Sequence, residues 1–211
     1  MILNKRHEIM HVFVKIPWKS FTFREVKKLA GKTSDSYVYN SLKKFMNDGL
    51  LRCDRIGNVV LYSLNLASLK SRTYAGFVSE HIAWGAKNIP HADMEKISRL
   101  IPTEFYIFII TGSYVNKTNR KESDLDIIII CDDLQDPKKI HAEMIQECKL
   151  NIPPIHLHIF RKNEFIEMLL NNEFNYGKEI AKNNLILSGG KEYYGIINEA
   201  VKNGFDGKTV Y

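Results

Sequence analysis

Residues 105–130 read FYIFIITGSYVNKTNRKESDLDIIII, and the fold turns on how this stretch is parsed. Phe105 to Ile110 is a continuous apolar run of strand type, and Ile127 to Ile130 is a second; runs this short and this apolar fit buried strands. Between them lie Thr111-Gly112-Ser113 and Ser123-Asp124-Leu125-Asp126, in the spacing Gly-Ser-x10-Asp-x-Asp. Side chains alternate faces along a strand, so Asp124 and Asp126 are expected on one side and Leu125 on the other. Two carboxylates at the mouth of a buried strand make a hard-oxygen site suited to Mg2+ or Mn2+, which is held by one or two carboxylates plus substrate phosphates. Glycine lets a backbone come close to a phosphate, and a turn into a following helix aims free N–H groups at it. Gly112 and Ser113 are therefore the phosphate-binding candidates, and Asp124 and Asp126 the metal-binding ones. Lys117, Arg120 and Lys121, inside the spacer, read as a solvated loop, with phosphate contact the alternative.

This constellation resembles the signature of the DNA polymerase beta-like nucleotidyltransferase superfamily over about residues 104–190. Its compactness is similar to that of the minimal nucleotidyltransferases, which include antitoxin-type enzymes that adenylylate partner proteins. The resemblance implies an α/β (α+β) domain over 104–211, a mixed, twisted sheet flanked by helices. It implies Gly112 and Ser113 on a triphosphate, and Asp124 and Asp126 on the metal ions that bridge its phosphates. The implied reaction moves a nucleoside monophosphate, AMP with ATP as the expected donor, onto a hydroxyl of a protein, nucleic acid or small molecule.

Active members of that superfamily usually carry a third acid on a neighbouring strand. The next strand here, Ile155 to Phe160 after Pro153-Pro154, has no carboxylate. His156 and His158 alternate onto one face, expected to be the cleft face, so either stands where the acid would be. A neutral imidazole accepts a proton or ligates a metal, Mn2+ or Zn2+ more readily than Mg2+; the alternative is that both histidines only line a groove.

Upstream, residues 1–65 follow a different pattern. Ile9, Val12, Phe13 and Ile16 mark a helix that stops at Pro17. Thr22-x-x-Glu25 opens a second, closed by Gly31. Thr33, Ser34 or Asp35 caps a third, whose stripe Val38, Leu42, Phe45 and Met46 faces inward and leaves Tyr37, Asn40, Lys43, Lys44 and Asn47 outward. Two short strands then flank Arg55-Ile56-Gly57-Asn58 as a hairpin tip. Three helices and a hairpin resemble the winged helix-turn-helix superfamily, whose third helix enters the major groove of double-stranded DNA. The outward third-helix residues, with Arg52 and Arg55 on the wing, are the DNA-binding candidates; the other use of such a module is dimerisation or protein docking. Charge favours DNA: residues 1–65 hold twelve Lys and Arg against five acids, a net +7, whereas the remaining 146 residues carry eighteen bases and nineteen acids, a net −1.

Residues 66–103 read as a helical connector, with Leu66 to Lys87 and Asp93 to Leu100 at loosely helical spacing. Beyond the histidine strand, Asn163–Leu170 and Tyr176–Asn183 read as helices, Leu185–Leu187 as a strand, and Lys191–Lys202 as a closing helix. The bulk numbers exclude other classes. Hydrophobic content of 45% with 26% charge is that of a folding chain. No apolar run approaches the ~20 residues of a membrane span, and Met1 to Lys15 lacks a leader's apolar core, so a cytoplasmic setting is expected. Cys53, Cys131 and Cys148 are odd in number and widely spaced, and read as reduced packing residues. A second functional class stays open: a transcription regulator whose transferase-like domain senses nucleotide or forms a homodimer.

Overall fold

The computed structural model describes residues 6–120 and 122–208, so Lys121 lies outside the described residues. The chain divides into two compact units, one made of the residues up to Ser79 with Lys191–Lys208, the other of Glu80–Gly190.

In the first unit, α1 (His7–Lys15) buries Ile9, Met10, Val12, Phe13 and Val14 and ends short of Pro17. A two-residue strand, β1 (Phe21–Thr22), precedes α2 (Phe23–Leu29). That helix starts in a reciprocal cap: the Glu25 N–H donates to Thr22 Oγ1 at 3.3 Å, and the Thr22 N–H donates to the Glu25 carboxylate at 2.8 Å. Of the three candidate caps for α3 (Asp35–Asn47), Ser34 is the one used, accepting from the Tyr37 N–H at 3.2 Å. Val38, Leu42 and Phe45 form its buried stripe. β2 (Leu51–Ile56) and β3 (Val59–Leu64) pair antiparallel around Gly57-Asn58, where Gly57 takes φ +59°. The strand order is β1-β3-β2.

The connector residues from Leu69 onward form one continuous helix, α4 (Leu69–Trp84). Its first part belongs to this unit: Ala75 and Val78 are fully buried, and the Ser71 hydroxyl donates to the Leu50 carbonyl at 2.8 Å.

The second unit opens with α5 (His91–Ser98), β4 (Tyr106–Thr111), α6 (Ser113–Asn116) and β5 (Leu125–Cys131). It continues with α7 (Pro137–Leu150), β6 (Ile155–Arg161), α8 (Lys162–Leu170), α9 (Tyr176–Lys182) and β7 (Leu185–Ser188). The four strands lie in the order β6-β5-β4-β7, with β4 antiparallel to both β5 and β7 and β5 parallel to β6. This is the mixed-sheet α/β class expected from the sequence. Phe108, Ile110, Ile127 and Ile129 from the two apolar strands meet Ile140, Met144 and Cys148 in one core. Those last three residues belong to α7, a helix absent from the sequence expectations. Its signals were Asp136, which caps by accepting from the Lys138 N–H at 3.0 Å, Pro137 at the first turn, and apolar residues spaced by four.

The closing helix, α10 (Gly190–Lys202), was assigned by sequence to the second domain, yet Lys191–Lys208 falls in the first unit. Burial supplies the reason. Tyr193, Tyr194, Ile197 and Ala200 are at most 1% exposed, and the Tyr194 hydroxyl donates to the Val14 carbonyl at 2.9 Å while meeting Ser79 Oγ at 2.5 Å. An apolar helix face joins whichever surface covers it and satisfies its hydroxyls. Cys131 and Cys148 are buried as expected, but Cys53 is exposed on β2. Among the described residues no helix is long and apolar enough to cross a membrane.

Candidate functional site

The turn that follows β4 and the start of β5 are brought together by strand register, since Thr111 pairs directly with Asp126. Gly112 adopts φ +73°, a conformation that L side chains rarely take, and it approaches the Asp126 carboxylate so closely that a Cβ would lie 2.1 Å from Oδ2. Glycine is thus required twice, by backbone angle and by space. The Thr111 hydroxyl donates to the Asn183 carbonyl at 2.6 Å, which fixes the end of β4. Ser113 follows as the first residue of α6, half-buried.

On the other side of Asp126, parallel pairing sets His156 opposite it and His158 opposite Ile128. His156 Nδ1 stands 3.3 Å from Asp126 Oδ1. Thr111, Gly112, Asp126, His156 and His158 all line one pocket of about 400 Å³. The last two lining residues, Tyr176 and Glu179, come from α9 and were not among the sequence candidates. Asp124 is exposed one residue before β5 begins and is not a lining residue.

The rings in this pocket are packed in a row. His156 and His158 have centroids 4.3 Å apart, and Tyr176 meets His158 edge-on at 4.9 Å. Burial, and then the neighbouring His156, push the His158 pKa below its ordinary value, so the ring is neutral near pH 7. The Tyr176 hydroxyl is pushed up to about 12, first by burial and then by the negative charges of Asp126 and Glu179. Tyr176 is therefore a proton-bearing donor at neutral pH.

Three features hold α9 in place. The Asn175 side chain accepts from the Lys178 N–H at 3.2 Å and donates to the Met168 carbonyl at 2.7 Å. Gly177 packs against Met168 where a Cβ would meet the Met168 Cβ at 2.5 Å. Lys178, 1% exposed, donates to the Glu173 carbonyl at 3.0 Å and to that of Asn171. Among the described residues no group of three or more His, Cys, Asp or Glu is arranged to hold a metal ion.

Residues 97–187 match the family model of the nucleotidyltransferase domain. The matched stretch contains Gly112, Ser113, Asp124, Asp126, both histidines and Glu179. No curated protein matches the chain. A solved structure described as a toxin-antitoxin with AMP-PNP aligns at 14% identity and a TM-score of 0.39, covering 55% of this chain and 88% of that one. Likeness of that degree assigns neither fold nor ligand.

The first unit presents a separate surface. Asn40, Lys43, Lys44 and Asn47 are exposed on α3, and Arg52 and Arg55 on β2. Tyr37 departs from the expected set: it is half-buried, its hydroxyl is buried with no hydrogen-bond partner among the described residues, and Lys32 Nζ lies 6.0 Å from its ring centre. The reason is its position one residue before the buried Val38, on the flank of the inward stripe rather than opposite it. Tyr39, 54% exposed, takes the outward place. Arg24, Lys27, Lys28 and Lys32, which contribute to the net charge of this segment but carry no motif, line a recess of about 340 Å³ with Phe23 and Asp35. Lys27 and Asp35 are paired there at 2.6 Å.

Proposed function

We propose that Glu80–Gly190 is a metal-dependent nucleotidyltransferase that moves a nucleoside monophosphate, AMP from ATP, onto a hydroxyl acceptor. The observation that supports it most is the packing of Gly112 directly against the Asp126 carboxylate, inside the region that matches the nucleotidyltransferase model. The donor chemistry fits Mg2+ or Mn2+: Asp126, with Asp124 two residues before it, offers hard oxygens, and a nucleotide brings the remaining ligands on its own phosphates. Such an ion, when bound, offsets charge on the triphosphate. Gly112 and Ser113 would receive the phosphates, the first by leaving its backbone uncovered and the second by a hydroxyl. His156, within hydrogen-bonding reach of Asp126, orients that carboxylate, and neutral His158 and Tyr176 form the wall beside it. In a direct test, purified protein with ATP and Mn2+ should release pyrophosphate, and Asp126→Asn should slow release by about 10²-fold or more. Equal rates in the two proteins, or no triphosphate binding by either, would end this reading.

We infer further that the first unit is a winged helix-turn-helix that binds double-stranded DNA. Its support is the order α1, α2, α3, hairpin, the three-stranded sheet, the net +7 over residues 1–65, and the exposed Asn40, Lys43, Lys44, Asn47, Arg52 and Arg55. Affinity should fall steeply with salt, as phosphate contacts demand. Absence of any DNA binding at low salt would count against it. A second reading, favoured by the carboxylate-free β6, makes the nucleotidyltransferase-like domain a nucleotide sensor for that module. Triphosphate that alters DNA affinity without pyrophosphate release would select it.

A further inference from the structure

The sequence leaves the site one acid short, because β6 carries histidines where a carboxylate is expected. The pocket itself contains a second carboxylate all the same. Glu179 lines it from α9, on a different element from Asp126 and far along the chain.

We propose that Glu179 is the proton acceptor for the incoming hydroxyl, a catalytic residue supplied by a helix instead of a strand. This rests on the nucleotidyl-transfer reading above. In the step, the acceptor's O–H proton passes to a Glu179 carboxylate oxygen and the freed oxygen pair forms the new bond to the α-phosphorus. The bond from that phosphorus to the bridging oxygen breaks, and pyrophosphate leaves with its electron pair.

Comparison with the other groups in the pocket singles out Glu179. Asp126 is the carboxylate that would hold the metal ion, and His156 Nδ1 faces its Oδ1 at 3.3 Å, which commits both groups to the ion's side of the pocket. Tyr176 keeps its proton at neutral pH and serves as a donor. His158 is half-buried among rings at 4.3 and 4.9 Å, and its protonated form is penalised by burial. Glu179 is exposed, and no hydrogen bond or ion pair among the described residues takes up its carboxylate. A proton acceptor needs access to an incoming substrate and an unoccupied lone pair, and Glu179 has both. It also needs a fixed mount. The Asn175 cap, the Met168–Gly177 contact and the buried Lys178 hold the first turn of α9, which carries Glu179, against the end of α8. That α9 is braced this firmly on one side while it presents Tyr176 and Glu179 to the pocket on the other is what a positioned acid–base group requires.

The test compares wild type, Glu179→Gln, Glu179→Asp and Asp126→Asn as full-length protein. Pyrophosphate release from ATP is followed with Mn2+, with water and the chain's own hydroxyls as acceptors. Binding of a non-hydrolysable ATP analogue and thermal stability are measured in parallel. The expected result is that Glu179→Gln binds the analogue within about twofold of wild type and melts at the same temperature while turning over about 10²- to 10⁴-fold more slowly, with Glu179→Asp recovering part of the rate. Wild-type turnover with Glu179→Gln at the same rate overturns the role of Glu179 and leaves nucleotidyl transfer standing. Glu179→Gln that loses analogue binding in step with turnover overturns it as well, since the residue then binds instead of accepting a proton. Wild type that neither binds the analogue nor releases pyrophosphate removes both proposals together.

Discussion

In the first unit the charged and amide side chains of interest stand apart from one another on exposed faces of α3 and β2. In the second, the polar groups converge on one pocket from β4, β5, β6 and α9, and the roles of several depend on one another. A dispersed surface degrades gradually when residues are removed, whereas a convergent site fails when one is displaced. The first arrangement suits long-range attraction to a polyanion, and the second suits chemistry at a single phosphorus atom.

Substitutions can break or sharpen this contrast. Asp126→Asn carries the largest expected effect, a loss of transfer of about 10²-fold or more with the fold intact, checked by pyrophosphate release and circular dichroism. Gly112→Ala should follow, because its Cβ collides with the Asp126 carboxylate in a backbone conformation that costs alanine about 1–3 kcal/mol. Thermal denaturation and triphosphate titration should show lowered stability and weakened binding together; unchanged values would mean that the turn tolerates a side chain. Tyr194→Phe removes a buried hydroxyl bonded to Val14 and Ser79 and should cost about 1–2 kcal/mol on denaturant unfolding, locating α10 in the first unit's core.

Smaller effects belong to the dispersed surface. Lys43→Ala should lower the slope of log affinity for DNA against log salt by about 1, and do so equally across DNA sequences. Tyr37→Phe should leave that slope alone, since the Tyr37 hydroxyl is buried. The smallest effect concerns pH. The unfolded chain takes up a proton on His158 near its ordinary 6.5, while the folded chain does so only at lower pH. Between those values the unfolded state holds more protons, so the His158 contribution is complete above pH 6.5 and is lost as pH falls through the lower folded value. His158→Gln should flatten the acid side of the stability profile, and an unchanged profile would show that the ring is not buried as described.

Much of this was legible from residues alone where a short-range signal exists. The apolar runs that became β4 and β5 lie within two residues of their expected places, because a short, isoleucine-rich run with no polar face fits a strand buried on both sides. Thr22 with Glu25, and Ser34, capped the helices they announced, since a cap is a contact between residues three apart. Legibility failed where a distant partner decides. The two residues of β1 are a strand only because β3 pairs with them. Tyr37 sits at the edge of a helical stripe, where the width of the covering surface sets burial.

Residue pattern alone carries the Gly-Ser turn and the aspartate pair at the buried strands, and a basic helical segment ahead of them. Long-range packing settles that His156 sits beside Asp126, that α10 folds with the first unit, and that Glu179 enters the pocket. Local pattern encodes which face of an element is apolar, but not which other element will cover it. Pockets are made by that second choice, which strand register and helix packing settle across the whole chain.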